Sequence, residues 1–342
     1  MDPALRLTAM LPGTGGTLRQ VPEDFLVEEL PAYLPGGTGE HLFLWVEKVG
    51  MDTPEAARVL ARALGLPPSA VAWAGLKDRL ARTRQWLSVP AQAEGRLAGL
   101  ELPPALRVLS SARHTNRLRP GHLRGNRFQI RIRAPQNPEA AQPVLSVLSA
   151  QGLPNAFGEQ RFGRGDTARR GRALLLGERL PRRPDRFERK LYTSAFQAEL
   201  FNWMLSARLQ AGWFGRARSG DLLRKADSGG LFLCREPEVD QVRVERLEVS
   251  PTGPIYGWKM PRPGEAVDAE EQALLTEEGL TLERFRDLGA LAEGTRRPYA
   301  VPVGELQSQR DGADLLLSFM LPKGSYATVL LDEVMKNTQG AG

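Results

Sequence analysis

Between Arg127 and Arg133, Phe128, Ile130 and Ile132 alternate with Arg127, Gln129, Arg131 and Arg133, and this segment limits the possible folds more than any other. A period of two is that of a β-strand, whose successive side chains point to opposite faces. One face belongs in an apolar core and the other is cationic. The cationic face suits an RNA backbone, although a plain solvated strand face carries the same pattern.

The neighbouring segments are of both kinds. Thr17–Glu29 reads as a short strand, and the turn Gly36-Gly37-Thr38-Gly39 leads into an apolar strand, His41–Val49. Asp52 or Thr53 caps a helix with Pro54 in its first turn, an apolar stripe of Ala57, Leu60, Ala61 and Leu64, and Gly65 at its end. A strand–turn unit covers Val71–Val89. Pro135–Pro138 reads as a linker before a helix over 139–151. Ser194–Gln210 is an amphipathic helix with Phe196, Leu200, Met204 and Ala207 along one side. Leu247–Gly264, rich in Pro and Gly, predicts loops around short strands, and Leu315–Leu321 predicts a late strand. Strands and helices mix without a βαβ rhythm, which predicts an α+β fold. At 342 residues the chain is long enough for two domains, or for one domain carrying a large insertion.

Cys234, the lone cysteine, excludes an intramolecular disulfide and a thiolate metal cluster, fits a reducing cytoplasm, and sits in an apolar strand-like setting. Met1–Gly16 lacks the pattern of a signal peptide. Leu315–Leu321 is too short to span a bilayer and contains Ser318, so a soluble chain with no membrane partner is expected. The three histidines, His41, His114 and His122, show no metal-ligand spacing. Gly163-Arg164-Gly165 lacks the Gly-Lys-Ser/Thr ending of a phosphate loop.

Net charge is +6, and its distribution says more than its size. Leu102–Pro138 has eight arginines and no acid; Arg161–Lys190 has eleven basic residues against four acids. Glu236–Glu293 is acidic, with fourteen carboxylates against six basic residues. The basic stretches read either as solvated faces or as a track for phosphates.

The densest polar cluster of the first third is Gly75-Leu76-Lys77-Asp78-Arg79-Leu80-Ala81-Arg82-Thr83-Arg84-Gln85. Lys77 and Arg79 adjoin Asp78 and are expected to hold it ionised. An ionised, partly desolvated carboxylate can act as a nucleophile or base at a sugar carbon. A charged turn whose aspartate merely pairs with its neighbours gives the same sequence.

The spacing Gly75-x-Lys77-Asp78-x-x-Ala81-x-Thr83-x-Gln85 resembles the signature of the TruD family of pseudouridine synthases. Other segments agree in the family's order: Pro22–Glu28, Gly39-Glu40-His41, Gly121–Phe128, Asn155–Gly163, Leu200-Phe201-Asn202, Thr252-Gly253-Pro254 and Leu321–Thr328. Ala156 departs from the pattern, where an aromatic residue is usual, and Tyr326 stands where phenylalanine is also found. The resemblance implies a catalytic domain with a mixed, largely antiparallel sheet in 1–154 and 304–342, interrupted by an inserted α+β domain in 155–303. It implies conversion of uridine 13 in the tRNA D-arm to pseudouridine in the cytoplasm, by a chain expected to be monomeric. It matches Asp78 to the nucleophilic aspartate and Arg19 to its basic partner. Phe25, Asn126 and Tyr326 match positions that contact the target nucleotide, with Phe128 beside them.

The implied reaction breaks the N1–C1′ bond of uridine, rotates the base and rejoins it through C5. It needs no redox step, phosphate transfer or hydrolysis, so neither metal nor organic cofactor is required. The base must leave its stack to be reached. Phe25, Phe128 and Tyr326 can sandwich it, and Asn126 offers a donor and an acceptor to the imide edge. From local pattern alone Phe25 and Phe128 also read as core, Asn126 as a turn residue, Tyr326 as a turn-to-core anchor and Arg19 as a surface charge. Two rival functions fit the same residues: a non-catalytic tRNA-binding or RNA-chaperone protein, and a glycosidase using Glu23, Asp24 or Glu159 as second carboxylate.

Overall fold

Alternation and capping place the elements in this order. The first stretch gives β1 (Phe25–Pro31), β2 (His41–Val49), α1 (Thr53–Ala63), β3 (Ala72–Trp73), β4 (Arg82–Pro90), β5 (Leu106–His114) and β6 (Leu123–Ile132). Next come α2 (Ala141–Gln151), β7 (Leu153–Pro154), α3 (Thr167–Leu176), α4 (Arg186–Gln210), β8 (Leu222–Lys225) and β9 (Leu231–Leu233). They are followed by α5 (Pro237–Glu245), β10 (Val249–Ile255), α6 (Glu265–Glu277), α7 (Leu282–Arg286), β11 (Thr295–Pro298) and β12 (Ala300–Val301). The chain ends with β13 (Gly304–Asp311), β14 (Asp314–Pro322) and α8 (Ala327–Met335). The computed structural model describes residues 3–163 and 166–337. Arg164 and Gly165 of the glycine-flanked segment lie outside the described residues.

The chain divides into two compact units. One is Thr14–Gln142 with Val303–Gly324, and the other is Pro143–Pro302 with Ser325–Lys336 and the N-terminal residues up to Gly13. The division falls within α2.

The first unit holds an eight-stranded sheet of order β13-β14-β6-β1-β4-β2-β5, with β3 on β4. Only β1 and β4 pair in parallel; the remaining pairings are antiparallel. Register sorts the side chains. Phe128 stands opposite Val27 and Phe319, and Asn126 opposite Glu29 and Leu321. Through β4 and β2 the same face carries Thr83, Gln85, Leu87, Lys48, Val46 and Leu44. Here α1 packs Ala57, Leu60, Ala61 and Leu64 against Leu42, Leu44, Val46, Leu87 and Val89. Asp52 caps α1 by accepting from the Glu55 amide at 2.8 Å. Gly125 has no substitute on β6, because a Cβ there would lie 2.1 Å from the Leu321 carbonyl oxygen.

The opposite face carries the alternating arginines, and carboxylates meet each of them. Arg127 pairs with Glu28 and Glu305, and Arg131 with Asp311 and Asp314. Arg133, just beyond the strand, pairs with Asp24 and Asp314. The cationic face expected to lie along RNA is therefore largely neutralised, and it points away from the face that bears Asn126 and Phe128.

The second unit has a sheet of order β11-β10-β8-β9 and a β7–β12 pair. Its main core gathers Phe196, Leu200, Tyr256, Leu275 and Phe285. A fully buried ion pair fastens α6 to the sheet: Arg296 meets both carboxylate oxygens of Glu271 at 2.7 Å and also donates to Thr252.

Several sequence expectations change. The first strand begins at Phe25, since Arg19 is left-handed (φ 58°) and Pro22–Asp24 is a 3₁₀ turn; Thr17 keeps a single bridge to Arg133. The strand β5 is largely exposed and polar, so it showed no alternation. A capping box of Asp185 and Glu188 starts α4 at Arg186, eight residues before Ser194. On α4 the inner side runs through Phe196, Leu200, Phe201, Leu205 and Arg208, leaving Ala207 exposed. Cys234 is core, and burial pushes its thiol up to about 12. Among the described residues no helix is long and apolar enough to cross a membrane.

Candidate active site

The loop between β3 and β4 carries the polar cluster, and all but one of its signature side chains serve to hold it. Lys77 turns inward to Glu29, with Nζ 2.8 Å from Oε2 and both side chains almost fully buried. The Lys77 amide donates to Thr53 Oγ1 at 2.9 Å, and that hydroxyl donates to Gln85 Oε1 at 2.8 Å. Gln85 Nε2 closes the ring by donating to the Gly75 carbonyl at 3.1 Å. Ala81 and Thr83 are fully buried.

From β2, the buried Lys48 ammonium donates to the carbonyls of Met51, Lys77 (3.4 Å) and Asp78 (3.0 Å). Its three donors meet three backbone oxygens, so the main chain on either side of the Lys77–Asp78 peptide is tied to a charge. Burial lowers Lys48 to about 8, against the opposing pull of Asp52 and Asp78.

Asp78 points outward, with its side chain 46% exposed, as do Leu76, Arg79 and Leu80. Arg19 Nη2 meets Asp78 Oδ2 at 3.2 Å. The expected pairing with Lys77 and Arg79 does not form. Lys77 is engaged with Glu29, while Arg79 reaches back to Asp52 (3.3 Å) and Glu55 (2.7 Å) on the start of α1. Arg19, in the irregular segment before β1, stands in for the two sequence neighbours.

Arg19 also lies 4.3 Å above the Phe25 ring. Phe25 meets Phe128 edge to face at 6.4 Å, and Phe128 stacks on Phe319 at 5.1 Å. The Phe128 ring is thus packed between Phe25 and Phe319, and Phe25 is buried as deeply. Asn126 lies inside β6 and not in a turn. Its Oδ1 is buried with no hydrogen-bond partner among the described residues, and its strand neighbour is Glu29, the partner of Lys77. An acceptor in that condition is costly unless something else supplies a donor.

The other carboxylates weighed for a glycosidase are otherwise occupied. Asp24 is buried under Arg133 at 2.7 and 2.8 Å and the amides of Gln20 and Val21. Glu23 pairs with Arg82, and Glu159 has an interaction of its own.

Tyr326 belongs to the second unit and sits at the start of α8. Its ring lies 6.0 Å from Phe157. Arg297 covers Phe157 at 4.1 Å and donates to the carbonyl and Oδ1 of Asn155, and Ser325 Oγ donates to the same Oδ1. Asn155–Gly163 and the Leu321–Thr328 segment thus meet in one cluster. Burial lowers Arg297 to about 10. Lys48, Glu29 and Arg297 escaped the sequence reading, since each is one charge in an unremarkable strand and only pairing marks it out.

A family model described as tRNA pseudouridine synthase D (TruD) matches residues 5–181 and 184–334. The tRNA pseudouridine synthase D of Anaeromyxobacter sp. (strain Fw109-5) is 51% identical over 343 residues, spanning 98% of this chain and 97% of that protein. That of a Thermus thermophilus strain is 44% identical over 96% of this chain and 91% of its own length. A Methanosarcina mazei crystal structure assigned to tRNA pseudouridine synthase D superposes with a TM-score of 0.79 at 25% identity, covering 97% of this chain and 95% of that one.

Proposed function

Because the chain belongs to the TruD family of tRNA pseudouridine synthases, we propose that it isomerises uridine in tRNA, at position 13 of the D-arm, with Asp78 as the acting carboxylate. The observation that carries this reading is the Asp78 loop. Lys48 and Lys77 fix its backbone from within, and Asp78 is left as an exposed carboxylate held by Arg19. We place the catalytic domain in 1–154 and 304–342, a range containing all eight strands of the large sheet, and the inserted domain in 155–303.

The reaction conserves atoms within the nucleotide. The N1–C1′ bond breaks, C5 bonds to C1′, the C5 hydrogen leaves as a proton and N1 gains one. Asp78 acts as nucleophile or as base at the sugar or base ring, with Arg19 keeping the carboxylate charged and aimed. Asn126 Oδ1 accepts the uracil N3–H, which supplies its missing donor. Phe25 and Tyr326 are assigned to the everted nucleotide. Support for Tyr326 is its motif, Leu321–Thr328, and its ring beside Phe157.

Mapping pseudouridine in tRNA from cells with and without this chain tests the proposal. Loss of the modification at position 13 alone is the expected result; an unchanged map rules the reading out.

The loop clamp adds a pH dependence. Above about 8 Lys48 loses its proton, and a neutral amine has two N–H donors for three carbonyls. Asp52, Asp78, Lys77 and Arg79 are the charges around it. Turnover should fall by about tenfold as pH rises through this range, the worth of one charge-assisted hydrogen bond. Lys48→Met, slower at every pH, should lack that alkaline limb in a pH–rate profile.

A further inference from the structure

The run Arg161–Lys190 is the second basic stretch of the sequence, and it differs from β6 in one respect. At the start of α4, Arg183, Arg186 and Arg189 line an open hollow of about 730 Å³ floored by Leu174, Leu288 and Leu291. No carboxylate lines it. Asp185 and Glu188, the nearest acids in sequence, are taken up by the α4 cap and by Arg182. Among the described residues none lies within ion-pairing distance of the three guanidinium groups. Arg186 and Arg189, three residues apart, share one face of the helix.

Three uncompensated arginines in a concave site repel one another and concentrate anions. We propose that this hollow is a second RNA-binding site of the chain, in which Arg183, Arg186 and Arg189 hold backbone phosphates of the tRNA. It rests on tRNA being the substrate. The hollow is of the size that takes a nucleotide-scale group, about 300–1,000 Å³. The contrast with Arg127, Arg131 and Arg133 is the physical core of the assignment: a guanidinium already bonded to carboxylates must give them up to bind phosphate, whereas these three give up only water.

The test is binding of a full-length tRNA transcript to the whole chain, measured against salt concentration. For Arg183→Ala/Arg186→Ala/Arg189→Ala the slope of log Kd against log salt should shrink by about 2. Affinity at low salt should fall by at least about tenfold, while kcat at saturating tRNA stays within about twofold of wild type. The corresponding triple Arg→Lys variant should keep the slope, which a merely structural role would not predict. Wild-type affinity and slope in the triple alanine variant would overturn the proposal, and so would weakened binding with the full slope, the outcome for a surface that docks something other than phosphate. If the triple variant fails to fold, Arg186→Ala is read on the same plot, where a slope smaller by about 0.7–0.9 is expected and no change overturns the proposal. Failure here leaves wild-type pseudouridine formation intact, whereas failure of the underlying reading appears as its absence.

Discussion

Asp78→Asn is expected to bind tRNA within about twofold of wild type while losing pseudouridine formation by a factor of about 10⁴ or more. The substitution keeps the size of the side chain and an oxygen for Arg19, and it leaves the inward bonds of the loop alone, since Lys48 holds the Asp78 main-chain carbonyl. Only the charge and nucleophilicity of one carboxylate disappear. Single-turnover assays and equilibrium binding on the same preparation separate the two effects. Equal losses of binding and turnover would instead make Asp78 a docking residue.

The second large effect concerns the pair beneath the loop. Lys77→Met should destabilise the first unit by about 3–5 kcal/mol, because it leaves the Glu29 carboxylate buried without a counter-charge. Burial already raises Glu29 and Lys77 opposes that rise; without Lys77 the folded pKa goes higher. A group whose folded pKa lies above its unfolded one contributes stability that is complete below the unfolded value and is lost as pH climbs through the folded value. The variant's deficit against wild type should therefore be small near pH 5 and large near pH 8 in urea melts. The double variant Glu29→Gln/Lys77→Met, with no buried charge left, should recover much of the loss. A deficit independent of pH would mean that Glu29 is not the stranded group.

The sequence made the loop visible but not its wiring. Period-two alternation located β6, which has one apolar face, and apolar runs located β2 and β14. The same logic failed at β5, an exposed strand, and at the start of α4, where a capping box and not an apolar stripe sets the boundary. Asp78 and its partner Arg19 both came from the family resemblance, whereas local spacing pointed to Lys77 and Arg79. Lys77 and Arg79 are nearest along the chain, yet strand register sends Lys77 to Glu29 and the start of α1 draws off Arg79. Charge runs misled in a similar way. Acids from β1, β13 and β14 neutralise the β6 arginines, and no linear count can show that. Asn126 illustrates the opposite case: a residue that reads as a turn proves to be a mid-strand acceptor with nothing to accept.

Joining C5 to C1′ expels the C5 hydrogen, so tritium at C5 of uridine reports the isomerisation directly. On a tRNA transcript labelled there, the wild-type chain should release into water one tritium for each pseudouridine formed, with no free uracil, and Asp78→Asn should release none. Free uracil from the wild type, or tritium release by Asp78→Asn at the wild-type rate, would contradict an Asp78-dependent isomerisation.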